Sequence, residues 1–149
     1  MIIRTVEAND IKDVISVSTE VFAKWDSDYY VSFYEVPEIF FLVAIVDETL
    51  VGYIISIPLS SHEHVIHSLV ISRDFQNKGF GTMLLKSLFS KCKTFHVKYL
   101  SLNVNIKNKP AYKLYLKHGF VPCWIEKCYY SKYEDAIYMK KMIGSIYYF

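Results

Sequence analysis

Apolar and polar residues alternate along VKYLSLNVN. Leu100, Leu102 and Val104 face one way and Ser101, Asn103 and Asn105 the other, the period of a half-buried strand. The rest of the chain divides in the same manner. MIIRTVEAND reads as a short strand and a turn. Asp10 is placed to cap a helix running to about Phe22, with Ile11, Val14, Ile15 and Val17 to Ser18 on its buried side. AKWDSDYYVSFYEV has no clean period, and a short helix over about Asp28–Val36 is expected, stopped before Pro37. In IFFLVAIVDETLVGYIISIPL two β-branched runs flank the polar turn Asp47-Glu48-Thr49, a hairpin. HEHVIHSLVIS predicts another strand. A helix follows, carrying Met83, Leu84, Leu85, Leu88 and Phe89 at helical spacing. Pro110 suits the first turn of a short helix to Lys117 and Gly119 suits its exit. FVPCWIEKCYY and DAIYMKKMI predict two closing strands. The pattern is that of one α/β domain over residues 1–149, with no repeat and no linker.

Composition narrows the function classes. Apolar residues make up 52% and charged ones 21%, which argues against disorder. The net charge of +2 gives no electrostatic case for nucleic acid. Three cysteines without a CxxC pair indicate neither a disulfide framework nor a metal site, and suit reduced thiols in the cytoplasm. No signal peptide and no membrane span are read from the sequence. The 13 tyrosines suit the rim of a core and equally an aromatic-lined groove.

The segment DFQNKGFGTMLLKSLF sets Gly79 and Gly81 at the mouth of a helix. The first amides of a helix have no internal partner, and the helix dipole adds partial positive charge there. Glycine lets backbone approach an anion closely, so a strand–loop–helix of this kind suits a phosphate or pyrophosphate, with Lys78 and Arg73 adding charge. The pattern is neither a P-loop nor the dinucleotide fingerprint. Taken alone, such a turn is more often plain structure.

The pattern Q-x-x-G-x-G resembles the pyrophosphate-binding motif of the GNAT superfamily of N-acetyltransferases. NVNIKNKPAYKLYLKHGF resembles the family's next segment: a strand, an Asn, a helix with a Leu-Tyr pair, then Gly-Phe. EKCYYSKYEDAIYMKKMI resembles the ending of its N-terminal protein acetyltransferase branch, the RimI and Ard1-like enzymes. The resemblance implies a single-domain α/β GNAT fold, a mixed, mostly antiparallel sheet flanked by helices. It implies acetyl-CoA as cosubstrate, without metal. Matched position by position, the acetyl-CoA site would comprise Leu69, Val70 and Ile71 through their backbone, Gln76, Asn77, Lys78, Gly79, Phe80, Gly81 and Thr82 in the loop and helix start, and Asn108 and Tyr115 on the later helix. The expected partners are protein or peptide N-termini, nascent chains and ribosomal proteins among them, with a monomer or homodimer as the assembly.

The resemblance also implies roles. Tyr129 and Tyr130 would close over the first residues of a peptide. The opposite wall would hold Phe22, Lys24 and Tyr29, although the family's proline is missing from Phe22-Ala23-Lys24-Trp25. Lys24 would then disfavour a basic second residue. Tyr115 would protonate the departing thiolate. Where relatives carry Glu or His as base, this chain has Asn103, which cannot take a proton but can orient a water. Another relative's His falls at Val65; His67 shares that face of the strand by alternation and becomes the candidate base. A protein α-amine, pKa about 7.8, is neutral in roughly a seventh of molecules at pH 7, whereas a lysine amine is so in under about 0.1%. A weakly basic site therefore favours an α-amine. The alternatives are an acetyltransferase for a polyamine or amino acid, and a CoA-binding regulatory protein without catalysis.

Overall fold

The computed structural model describes residues 1–21 and 27–144, with side chains described from Tyr29 onward in the second stretch. The expectations for Phe22 and Lys24, and the tail after Gly144, lie outside these residues. The elements follow the order β1 (Ile2–Thr5), α1 (Ile11–Val21), α2 (Ser27–Tyr34), β2 (Phe40–Val46), β3 (Thr49–Pro58), β4 (Glu63–Ile71), α3 (Phe80–Thr94), β5 (Tyr99–Asn105), α4 (Lys109–Lys117), β6 (Val121–Ser131) and β7 (Glu134–Met142). Short 3-10 turns cover Ala8–Asp10 and Arg73–Phe75. The strands form a seven-stranded mixed sheet in the order β1-β2-β3-β4-β5-β7-β6. The chain gathers into two compact units. One holds residues 1–57 and 67–91, the other residues 58–66 and the chain from Cys92 onward.

In the first unit α1 buries Ile11, Val14, Val17 and Ser18 at helical spacing. They join Tyr30, Phe41, Val43, Tyr53 and Val70 in one core. Ser18 is a polar residue in that core, and its Oγ accepts from the Tyr30 hydroxyl at 2.5 Å. β2 and β3 pair antiparallel around Asp47 and Glu48, both with positive φ (47° and 64°), which matches the right-handed twist of a tight hairpin. Gly52 is required where β3 meets β4: a Cβ there would lie 2.7 Å from the Val70 carbonyl oxygen. Asp10 does not cap α1 as expected from its position. Its carboxylate accepts from the Glu7 amide at 2.7 Å and binds Arg4 through two nitrogens, at 2.7 and 3.0 Å, fixing the turn that feeds the helix.

In the second unit β5 buries Leu100, Leu102 and Val104, as its alternation requires. Ser101 on the opposite face is also buried. The start of β4 runs parallel to β5 from Glu63↔Tyr99 to Val65↔Ser101, and β7 runs antiparallel along the whole of β5. β6 pairs with β7, is exposed throughout, and is interrupted by bulges near Cys123 and around Cys128, whose φ is 55°.

Candidate functional site

The loop ahead of α3 has an irregular backbone. Asn77 has φ 61° and Gly79 φ 90°. A Cβ at Gly79 would meet nothing within 4 Å, so its surroundings are open and the conformation itself demands glycine. The Gln76 amide nitrogen donates to the Ile71 carbonyl at 3.0 Å, which folds the loop back onto the end of β4. Phe75 and Phe80 meet edge to face at 6.0 Å, and the Lys78 ammonium sits 5.4 Å above the Phe75 ring. The first turn of α3 carries Gly81 and Thr82 and no acidic residue, so no side chain of that turn cancels the positive end of its dipole. An open glycine corner before an electropositive helix start fits an anionic pyrophosphate.

Sequence reading missed Glu20 beside this loop. Its carboxylate accepts from the Arg73 amide at 2.9 Å and the Ser72 hydroxyl at 3.0 Å, tying the end of α1 to the turn that precedes Gln76. The available signal was a charge of the wrong sign for the last turn of a helix. On β4 the His67 Nε2 lies 2.7 Å from the Tyr29 hydroxyl, and Nδ1 lies 3.3 Å from Ser68 Oγ. Packing against Phe33, with centroids 5.0 Å apart, and Tyr29 desolvates the ring and lowers the His67 pKa, although part of the residue remains exposed. Burial raises the Tyr29 pKa. Both groups are therefore neutral, and one phenol–imidazole hydrogen bond joins them. Tyr29 and His67, predicted separately, form one pair. Leu69 and Ile71 are half-buried and Val70 is buried beside them. A cavity of about 540 Å³ between α1 and α2, lined by Ile11, Ile15, Val31 and Tyr34 among others, includes none of the expected site residues.

The second unit assembles the other candidates. Asn103 lies two residues beyond the last parallel pair of β4 and β5. Its backbone carbonyl accepts from the Tyr130 hydroxyl at 2.8 Å, and its side-chain Oδ1 is buried without a hydrogen-bond partner among the described residues. Tyr129 and Tyr130 stand edge to face at 4.8 Å. Burial pushes the Tyr130 pKa up to about 12, with the neighbouring Tyr129 adding to it. Tyr115, on α4, is buried against Phe120 at 5.5 Å; burial first, and Tyr130 second, raise its pKa. Its hydroxyl therefore stays protonated and is suited to donate. Asn108 serves as a helix cap: its Oδ1 accepts from the Ala111 amide at 3.3 Å. No described helix is long and apolar enough to cross a membrane.

A model of the acetyltransferase (GNAT) family matches residues 10–120. A Bacillus subtilis protein named for N-acetylation of the alanine of ribosomal protein bS18 is 31% identical over 140 residues, 92% of each chain. An N-alpha-acetyltransferase of Saccharolobus solfataricus is 27% identical over 153 residues, covering 93% of this chain and 91% of that one. Among solved structures, an aminoglycoside 6'-N-acetyltransferase complexed with coenzyme A superposes with a TM-score of 0.88 at 16% identity, over 99% of this chain and 100% of the other. At that identity the likeness is one of fold.

Proposed function

We propose, from the premise that this chain belongs to the acetyltransferase (GNAT) family, that it moves the acetyl group of acetyl-CoA to the N-terminal α-amine of a protein or peptide. The attack is direct, in a ternary complex, within a single catalytic domain. The observation that carries the choice of substrate is the β6–β7 hairpin. Its tyrosine pair is exposed, yet anchored by Tyr130 on the carbonyl of Asn103. That arrangement presents aromatic surface and hydroxyl groups beside the candidate reaction position. The names of the full-length relatives support the same reading.

Acetyl-CoA supplies an activated acyl group and a thiolate leaving group. The open corner at Gly79, the amides of the first turn of α3 and Lys78 suit its pyrophosphate. Gln76 holds that loop through the Ile71 carbonyl. Tyr115 keeps its proton across neutral pH because it is buried, and it is our general acid for the thiolate. Neutral His67 is our candidate base. Its Nε2 is hydrogen-bonded to Tyr29, so the amine's proton would pass to the imidazole after that contact opens. Asn103, whose buried Oδ1 has no protein partner among the described residues, would orient a water. An α-amine enters partly neutral and asks little of so weak a base.

The test is purified protein with acetyl-CoA and peptides of free or blocked N-terminus, one with an internal lysine, together with spermidine. Mass and thiol release give the products. Acetylation confined to free α-amines supports the reading. Acetylation of spermidine or lysine alone overturns it in favour of a small-molecule or side-chain amine. Acetyl-CoA binding without transfer to any acceptor would leave a CoA-binding regulator.

A further inference from the structure

We propose that the row Asn103–Tyr138–Trp124, crossing three strands of the second unit, is a subsite for a lysine or arginine side chain carried about three residues beyond the acetylated N-terminus of the substrate. The inference rests on the N-terminal reading above and adds a specificity element to it.

The register places these side chains on one face. Asn103 pairs with Tyr138 across β5 and β7, and Tyr138 pairs with Trp124 across β7 and β6. Tyr138 stacks on the indole with centroids 4.1 Å apart and planes at 11°, covering one face of Trp124. The residue is still 53% exposed on the edge strand. Its Nε1 donates to Glu126 Oε1 at 2.6 Å, which fixes both the ring and the carboxylate.

The charge on this face is mostly negative. Glu126 lies on the same face, and so does Glu134, which accepts from Asn105 Nδ2 at 2.6 Å and from Ser131 Oγ at 3.2 Å. Neither carboxylate has a cationic partner among the described ion pairs. The ammonium of Lys140, on the same face of β7, is bound by Glu63 at 2.8 Å and lies 4.7 Å above the Tyr99 ring. An exposed indole face beside a held carboxylate complements an ammonium or, better, a guanidinium, which can stack on the ring and bind the carboxylate in its plane. An acidic side chain would be repelled there, and an aliphatic one would gain only contact area.

Distance selects the substrate position. Asn103 and Trp124 are two strand spacings apart, about 10 Å. An extended peptide advances about 3.3–3.6 Å per residue. A chain whose amine is held beside Asn103 and which runs toward the edge strand therefore brings its third or fourth residue over Trp124.

The experiment uses peptides with free N-termini and identical first two residues, carrying Arg, Ala or Glu at the third or fourth position. kcat and KM for peptide are measured at saturating acetyl-CoA for the wild type, Trp124→Ala and Glu126→Gln. Arg is expected to lower KM about tenfold relative to Ala, Glu to raise it, and kcat to stay level. Trp124→Ala should abolish the Arg advantage, Glu126→Gln should reduce it, and raised ionic strength should shrink it in the wild type. Circular dichroism and acetyl-CoA binding report whether each variant is folded, and Glu126→Gln serves if Trp124→Ala is not. Equal KM for Arg and Ala, or an Arg preference that survives both variants, overturns the subsite. Peptides acetylated without preference at the third and fourth residues sink the subsite alone; no acetylation of any α-amine sinks the N-terminal reading and the subsite with it.

Discussion

The Tyr130 hydroxyl donates a 2.8 Å hydrogen bond to the backbone carbonyl of Asn103, fastening the β6–β7 hairpin to the middle of β5. Tyr130→Phe keeps the ring and removes that bond. Losing one such contact is worth about 1 kcal/mol. KM for peptide should rise roughly fivefold with KM for acetyl-CoA unchanged, as measured by initial rates with each substrate varied. An equal rise in both would place Tyr130 outside the peptide site.

Tyr115 packs on Phe120 and is buried. Tyr115→Phe should fold with little loss of stability, since the ring contact remains. If the hydroxyl protonates the thiolate, kcat should fall about a hundredfold or more. Unchanged turnover in a folded variant would assign the proton to another donor.

Gly79 adopts φ 90° in open surroundings. Gly79→Ala meets no steric obstacle, so its cost is conformational, about 1–2 kcal/mol. The loop should relax and weaken acetyl-CoA binding about tenfold by calorimetry, while the melting temperature moves only a few degrees.

His67 is held below its ordinary pKa by desolvation. The neutral base is then the majority form at pH 7 and is lost as pH falls through a midpoint below about 6.5. The acidic limb of kcat/KM should lie there and disappear in His67→Gln. A limb that persists in the variant belongs to the α-amine of the substrate or to another group.

The Asp10 carboxyl is pulled below its ordinary pKa, chiefly by its hydrogen bonds with Arg4. Its contribution to stability is complete above the unfolded pKa, near 4, and is lost as pH falls through the lower folded value. Asp10→Asn should cost about 1–2 kcal/mol at neutral pH, and urea midpoints of the variant and wild type should converge toward pH 2.

Period and punctuation carried most of the fold. The alternation of VKYLSLNVN gave β5 with Leu100, Leu102 and Val104 inside, and α1 buries Val14 and Val17 where the helical spacing put them. Pro110 and Gly119 bracket α4, with Gly119 at φ 91°. These features are local: each depends on side-chain period or on a backbone angle that only certain residues accept. The glycine loop was legible for the same reason. Partners far apart in sequence were not. Asp10 suited a helix cap, yet Arg4 and the Glu7 amide claimed its carboxylate. Glu20 and Arg73 are 53 residues apart, and only folding brings that carboxylate to the turn. Tyr29 and His67 were separate candidates until packing joined them across 38 residues. The pairing of Trp124 with Tyr138 depends on a bulge that shifts the β6–β7 register. Period determines which face a residue occupies, whereas the identity of its neighbour depends on register and docking, which no single segment encodes.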